Sequence, residues 1–368
     1  MKISRFAQLG AVAAVAALAL AGCASNEGGG AAAPSSDSSA VTGLSGTLNG
    51  SGATSQQVAV QSWTSAFQTS NPDVTVNYDP QGSGTGRESF QSGAVQFAGS
   101  DRAFKTDEIT AGPFEACAAD SDLVEIPAYV SPIAIVFNID GVETLDLDAA
   151  TIAGIFAGTI TTWNDPAIAA TNSGVTLPSS AITPVHRSDK SGTTQNFTDY
   201  LSANAADVWT AGAVEEWPIQ GGEAAQGTSG VANAVKGGQG TIGYIDSSQA
   251  EGFSSVNVKV GEDFVGHSAE GAAIAVDASP FEEGRAATDL AIKIDRTTTE
   301  AGAYPVVLVS YLIGCATYGD AAAAELVKGF MTTAISEAGQ EASATNAGSA
   351  PISDTLREKA VTAVDAIK

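Results

Sequence analysis

The strongest constraint on the fold is a pattern that occurs three times: a short β-rich run, a turn of glycine and hydroxyl residues, then a helical pattern. The three turns are residues 50–55 (Gly-Ser-Gly-Ala-Thr-Ser), 82–86 (Gly-Ser-Gly-Thr-Gly) and 188–194 (Ser-Asp-Lys-Ser-Gly-Thr-Thr). Strands that alternate with helices are typical of α/β folds, in which helices cover both faces of a sheet. We therefore predict an α/β protein.

Apolar periodicity and turn residues predict the remaining elements. Strands are predicted over residues 46–50, 74–78, 97–100, 182–187 and 241–245, and one or two buried strands over the apolar run 123–139. Helices are predicted over residues 55–70, from the second turn through 90, and over 149–157, 166–171, 191–201, 230–235, 320–335 and 353–366. At 368 residues the chain is too long for one compact core, so we expect two domains.

The composition excludes several classes of function. The chain has 16 Lys and Arg against 41 Asp and Glu, a formal charge of −25, which argues against binding to nucleic acid or to anionic lipid headgroups. It has only two histidines, His186 and His267, so a His-rich zinc site is not expected. We expect no metal and no cofactor.

The N-terminus has the features of an export signal. Lys2 and Arg5 precede an apolar run of about a dozen residues, which is too short to span a bilayer and suits a signal peptide. The run ends in Leu-Ala-Gly-Cys at residues 20–23, which resembles a bacterial lipobox. We predict a signal peptide at 1–22 and a lipidated Cys23 that begins a flexible tether at 23–45. The protein would then lie on the outer face of the cytoplasmic membrane, held by lipid alone.

Cys117 and Cys315 are the two cysteines that remain after lipidation. An even pair in an exported chain predicts one disulfide, and the alternative is two unpaired buried thiols. The disulfide would place the two segments in the same domain.

The three turns together predict an anion site. Each can direct backbone N–H groups and a hydroxyl at one point, where the helix dipole also favours negative charge. Taken singly, each turn is better explained by ordinary helix caps and glycine turns. Three such turns in one exported α/β chain favour a shared site.

Three charged residues suggest which anion is bound. Arg187 ends a predicted strand close to the third turn, and Asp189 could orient its guanidinium group. Asp101 ends another strand, and a carboxylate beside an anion is favourable only if the anion carries a proton. Phosphate near neutral pH has an O–H to donate and sulfate has none, so this pattern favours phosphate. The alternative for Arg187 and Asp101 is a surface ion pair each.

The order and spacing of these motifs resemble the phosphate-binding proteins of Pst-type ABC transporters, in their bacterial lipoprotein form. The resemblance covers residues 46–366, and its most specific motif is Arg-x-Asp-x-Ser-Gly-Thr at 187–193. The other matching segments are residues 50–54, 82–86, 99–101, 152–164, 217–219 and 240–244.

The resemblance implies a two-lobed periplasmic-binding fold, type II-like, with mixed sheets, a two-crossing hinge and phosphate in the cleft between the lobes. Crossings near 126–130 and 303–307 would give one lobe of residues 46–127 plus 306–368 and another of 128–305. The implied phosphate ligands are Ala53, Thr54, Ser55, Ser83, Asp101, Arg187, Ser191, Gly192 and Thr193, with Asp189 behind Arg187. The protein would be a monomer that delivers inorganic phosphate to an ABC permease and its ATPase.

Two positions depart from the resembled family. Ser55-Gln56 stands where an aromatic residue and proline are common, and Arg87 follows the second turn where small or apolar residues are common. Arg87 could give the cleft a positive edge, but we favour a solvated helix residue.

Other functions have less support from the sequence. Residues 227–232 superficially resemble a subtilisin nucleophile motif, but nothing marks an acidic partner for either histidine, so we expect no enzyme. No P-loop motif occurs. The alternatives that remain are another oxyanion, a phosphate ester, or a surface sensor or adhesin without a transport role.

Overall fold

The computed structural model describes residues 41–368, which form eleven β-strands and eleven α-helices. The strands are β1 Ser45–Gly52, β2 Asp73–Asp79, β3 Phe97–Ser100, β4 Leu123–Asn138, β5 Thr144–Leu147, β6 Thr183–Arg187, β7 Glu223–Ala225, β8 Thr241–Asp246, β9 Ser254–Val260, β10 Asp263–Val265 and β11 Val307–Cys315. The helices are α1 Gln57–Ser70, α2 Ser83–Gln91, α3 Thr106–Ala111, α4 Ala149–Phe156, α5 Pro166–Thr171, α6 Gly192–Asn204, α7 Gly227–Gly237, α8 Ala269–Asp277, α9 Ala321–Ile335, α10 Glu337–Ala347 and α11 Asp354–Asp365. The predicted α/β class is confirmed.

The main sheet contains two parallel groups of strands joined by an antiparallel pair. Its order is β2-β1-β3-β11-β4-β8-β6-β7. The strands β1, β2 and β3 are mutually parallel, as are β6, β7 and β8, whereas β11 and β4 run antiparallel to their neighbours. A side branch pairs β9 with β4, β5 and β10.

The long strand β4 makes the carboxyl ends of the two groups face each other. Its residues 123–132 pair with β11, and only its last part, 133–138, pairs with β8. The second group therefore lies beyond the carboxyl ends of the first, and because it runs in the opposite direction its own carboxyl ends point back toward them. Ligand sites in α/β proteins form at such strand ends.

Most predicted elements are present, and the apolar run 123–139 is a single strand. The elements that were not predicted are α3, β5, β7, β9, β10, α8 and α10. The second apolar crossing strand was expected near 303–307, but the strand runs over Val307–Cys315. The division into lobes of residues 46–127 plus 306–368 and 128–305 stays a prediction.

The part of the chain that the structure describes bears on two further expectations. Cys117 and Cys315 form the predicted disulfide, across a sequence separation of 198 residues. No helix among residues 41–368 is both long and apolar enough to cross a bilayer. The predicted signal peptide at 1–22, the lipidated Cys23 and all but the last five residues of the tether lie outside the described residues.

The disulfide should contribute strongly to stability because it closes a loop of 198 residues. By the chain-entropy estimate, its loss lowers the free energy of unfolding by roughly 5 kcal/mol. Urea unfolding of the variant that combines Cys117→Ala with Cys315→Ala measures this loss, and the reduced wild type controls for the lost sulfur packing. Equal midpoints for oxidised and reduced wild type would show that the bond contributes no stability.

Candidate anion-binding site

The three predicted turns meet at Asp101, which follows β3. The Ser55 hydroxyl donates to Asp101 Oδ1 at 2.6 Å, and the Thr193 hydroxyl donates to Oδ2 at 3.1 Å. The backbone N–H of Asp101 donates to Ser83 Oγ at 3.1 Å. One residue from each turn thus contacts Asp101, and all four residues are buried.

Backbone amides at the three turns are free to bind a ligand. Among the described residues, no protein group accepts a hydrogen bond from the N–H of Thr54, Ser55, Ser83, Gly192 or Thr193. These residues stand at or just before the first turns of α1, α2 and α6, where helical N–H groups have no intrahelical partner and the dipole is positive. Five donors at three helix N-termini favour an anion.

Two of the predicted site residues have amides that are already used. The Ala53 N–H donates to the Gly99 carbonyl at 2.9 Å, and the Ser191 N–H donates to the Glu215 carbonyl at 3.0 Å. The Ser191 side chain caps α6 by accepting from the Thr194 N–H at 3.1 Å. Both residues shape their turns, but neither has a free backbone donor.

Arg187, the last residue of β6, points its guanidinium group toward the same place. Asp189 holds this group from one side, accepting from Arg187 Nε at 2.8 Å and also from Nη2. On the other side, Arg187 Nη1 lies 3.5 Å from Thr193 Oγ1. Burial raises the pKa of Asp189, but hydrogen bonds and charge from Arg187 outweigh it and hold that pKa below its ordinary value.

Tyr244 on β8 supports the end of β6 and the beginning of α6. Its hydroxyl accepts from the Arg187 N–H at 3.3 Å and shares a hydrogen bond of 2.8 Å with the Thr194 hydroxyl. Its ring stacks on Phe197 with centroids 4.4 Å apart. The backbone at the end of β6 and the beginning of α6 are therefore held by the same tyrosine hydroxyl.

The environment of Asp101 makes it a proton acceptor that is poorly solvated. Burial raises the pKa of Asp101, and hydrogen bonds from Ser55 and Thr193 together with the charge of Arg187 offset only part of the rise. Its backbone carbonyl accepts from Asn196 Nδ2 at 2.8 Å, which fixes the residue against α6. A ligand that donates a hydrogen bond to this carboxylate would relieve part of the cost of burying it.

The departure at residues 55 and 56 adds a polar contact. Ser55 supplies a hydroxyl to Asp101, which an aromatic side chain at that position could not do. Gln56 is fully buried, and neither atom of its side-chain amide has a hydrogen-bond partner among the described residues.

The sequence analysis did not identify a fourth turn at the site, which begins α7. The Thr228 hydroxyl lies 3.1 Å from Thr54 Oγ1, and the Thr228 N–H donates to Thr54 Oγ1 at 3.2 Å. The Gly227 N–H donates to Asp189 Oδ1 at 3.0 Å. Residues 227–230 are Gly-Thr-Ser-Gly, the same composition as the other turns, but the strand before them has only three residues and gave no pattern.

The interpretation of Arg87 as a solvated residue is wrong. Arg87 is buried, with 4% of its surface exposed. Its Nη1 donates to Ser100 Oγ at 2.7 Å, and its Nη2 donates to both carboxylate oxygens of Glu215 at 2.7 Å. The reason lies in helical spacing: Arg87 stands four residues after Ser83, on the face of α2 that points into the protein.

His186 has a structural environment that differs from that of a catalytic base. Its ring stacks on Trp217 at 4.9 Å, and its two nitrogens lie 3.0 and 3.2 Å from the backbone carbonyls of Arg187 and Gly221. Within the described residues, no group of three or more histidine, cysteine or acidic residues is arranged to bind a metal ion.

Comparison with known proteins identifies the class of fold and then the family. A model of the PBP superfamily domain matches residues 37–338. Among solved structures, PfluDING, a high-affinity periplasmic phosphate-binding protein solved with phosphate, has a TM-score of 0.67 and 22% identity over 85% of this chain and 92% of its own. A phosphate-binding protein from Stenotrophomonas maltophilia has a TM-score of 0.65 and 21% identity, over 86% and 93%. These likenesses show the two-lobed α/β fold.

Curated relatives are similar over the full length. Phosphate-binding protein PstS 3 of Mycobacterium tuberculosis is 35% identical and PstS 2 of the same species is 36% identical, each over 100% of both chains. PstS of Xylella fastidiosa is 30% identical over 72% of this chain and 71% of its own. The chain belongs to the PstS family of phosphate-binding proteins, which are binding proteins and not enzymes.

A side chain at position 192 should prevent the turns from meeting. A Cβ on Gly192 would lie 2.5 Å from Ser83 Oγ and 2.6 Å from Asp101 Cβ. We expect Gly192→Ala to lower the free energy of unfolding in phosphate buffer by about 1–3 kcal/mol, as overpacking does. The control is Gly237→Ala, whose added Cβ meets nothing within 4 Å. If both variants match the wild type, the contact of Gly192 with Ser83 and Asp101 does not form in solution.

The raised pKa of Asp101 predicts how stability changes with pH. Ionising this carboxyl costs stability as the pH rises from the ordinary Asp pKa, about 3.9, through the higher folded value. In phosphate-free buffer, the wild type should therefore lose stability between pH 4 and pH 7 and Asp101→Asn should not. The difference in free energy of unfolding, variant minus wild type, should be larger at pH 7 than at pH 4. Urea unfolding at both pH values measures the difference, and a relative loss at pH 7 would mean that the fold stabilises the anion.

Proposed function

We propose that the protein captures inorganic phosphate at this site, outside the cytoplasm, and delivers it to an ABC permease for import. The observation that carries the proposal is the buried Asp101 carboxylate beside free amides at three helix N-termini. Such a site attracts an anion and yet offers an acceptor for a proton. Phosphate meets both requirements near neutral pH.

Each predicted ligand has a role consistent with its surroundings. The free amides of Thr54, Ser55, Ser83, Gly192 and Thr193 would donate to the phosphate oxygens, helped by the hydroxyls of the same turns. Arg187, oriented by Asp189, would neutralise charge. Asp101 would accept the phosphate proton. Ala53 and Ser191 would act by shaping their turns.

Burial of the site implies that phosphate enters and leaves by a conformational change. Thr54, Ser83 and Asp101 belong to the predicted lobe of 46–127 plus 306–368, and Thr193 and Thr228 to the lobe of 128–305. Contacts of about 3 Å between these two sets close the site. Phosphate that binds the closed form more tightly than the open form would shift the equilibrium toward closure.

Features of the N-terminus support an anchored location. The signal peptide at 1–22 and the lipidation at Cys23 would hold a monomer on the outer face of the cytoplasmic membrane, near the permease and its ATPase. The curated relatives PstS 2 and PstS 3 are phosphate-binding proteins, which supports phosphate as the ligand of this chain.

Calorimetry of residues 24–368, freed of ligand by partial unfolding, tests the proposal. We expect one phosphate per protein and discrimination against sulfate by roughly 10⁴-fold, because sulfate brings no proton to Asp101. Asp101→Asn should narrow this gap by an order of magnitude or more, whereas Asp277→Asn, the same change at an exposed position, should leave it unchanged. Equal binding of phosphate and sulfate by the wild type would contradict the proposal.

A further inference from the structure

A cluster of buried charges lies at the edge of the site without belonging to it. Glu215 receives hydrogen bonds from Arg87 Nη2 on both carboxylate oxygens at 2.7 Å, and from Arg102 Nη2 at 3.1 Å. The exposed fractions of the three side chains are 5% for Arg87, 11% for Arg102 and 18% for Glu215. We call these three residues the Glu215 latch.

The latch joins segments from opposite sides of the site. Arg87 is on α2, four residues after Ser83, and Arg102 directly follows Asp101. Glu215 lies in the loop between α6 and β7, and its backbone carbonyl accepts the N–H of Ser191, the residue that caps α6. Arg87 and Glu215 are therefore each connected to a turn with free amides, and Arg102 is connected to Asp101.

We propose that the Glu215 latch holds the site closed around bound phosphate and so sets how long the ligand stays. This inference rests on the proposed function. Because none of the three side chains donates to or accepts from the predicted ligand groups, they act as positioning residues.

The physical argument concerns which state the ion pair stabilises. In the closed arrangement the two guanidinium groups and the carboxylate have lost most of their water and depend on one another. If the two segments separate, each charge regains water, so the mutual attraction favours the closed form alone. Glu108 adds to this by holding Arg102 with two hydrogen bonds of 2.6 and 2.7 Å, which keeps Arg102 aimed at Glu215.

The latch stays charged near neutral pH. Burial raises the pKa of Glu215, but the charges of Arg87 and Arg102 outweigh it and keep that pKa below its ordinary value. Burial lowers the pKa of Arg87, and the carboxylate of Glu215 offsets part of this. The attraction is therefore present under the conditions in which phosphate is bound.

A neighbouring charge contact provides a contrast. Lys190 lies near Glu88 and, at 3.9 Å, near Glu216, and the side chains of Lys190 and Glu216 are 45% and 69% exposed. Solvent and salt screen such pairs, and their contribution is small. Glu216→Gln therefore removes the same charge, one residue away, without touching a buried pair.

Stopped-flow measurements of phosphate association and dissociation compare Glu215→Gln with Glu216→Gln. For Glu215→Gln we expect the phosphate dissociation rate to rise on the order of tenfold or more above wild type, and the association rate to stay within about twofold. The reason is that loss of a buried charge pair mainly changes the dissociation rate. For Glu216→Gln both rates should stay near wild type. Equal dissociation rates for the two variants would overturn the latch.

Two further readouts separate a latch from a merely structural cluster. The double variant Arg87→Gln with Glu215→Gln should raise the dissociation rate by less than the two single effects combined, because both substitutions remove the Arg87–Glu215 pair. The loss in free energy of unfolding of Glu215→Gln, relative to Glu216→Gln, should be smaller without phosphate than with it. Additive rate changes, or an equal loss of stability with and without phosphate, would overturn the latch. Absence of phosphate binding by the wild type would overturn the proposed function, and the latch with it.

Discussion

The hydrogen bonds of the Asp101 carboxylate are the interaction on which the candidate site depends. A buried anion is costly unless polar partners surround it. Here the partners come from segments far apart in sequence: the Ser55 hydroxyl before α1, the Thr193 hydroxyl in α6 and the nearby charge of Arg187. These two hydroxyls stabilise the carboxylate, and the Ser83 hydroxyl accepts from the Asp101 N–H. Together the three contacts bring three helix N-termini within reach of one small ligand.

Strand β4 makes this convergence possible. Its first part belongs to the sheet that carries Asp101, and its last part to the sheet that carries Arg187. The first group is joined to the early part of β4 through β11, and the second group is joined to its last part through β8. Because the two groups run in opposite directions, their carboxyl ends face each other across a gap. The candidate site lies in this gap.

Sequence reasoning succeeded where the chemistry is local. Glycine and hydroxyl residues mark the three turns, and the two-residue spacing of Arg187 and Asp189 is short enough for a direct contact. It failed where the contact is long-range. Arg87 and Glu215 are 128 residues apart, and Glu215 lies in a loop with no periodic pattern, so nothing local showed that the arginine would be buried. The turn before α7 was missed because its strand has only three residues.

The position of β11 in the sheet has a consequence for how the protein comes into being. This strand, residues 307–315, lies between β3 and β4, and the disulfide at its last residue ties it to Cys117. In the proposed export the chain emerges from its N-terminus, so every predicted phosphate ligand would reach the outer side before the strand that supports β3. Assembly of the site must wait for the last sixth of the polypeptide, and a chain interrupted before residue 307 would carry all the ligands without the frame that brings them together.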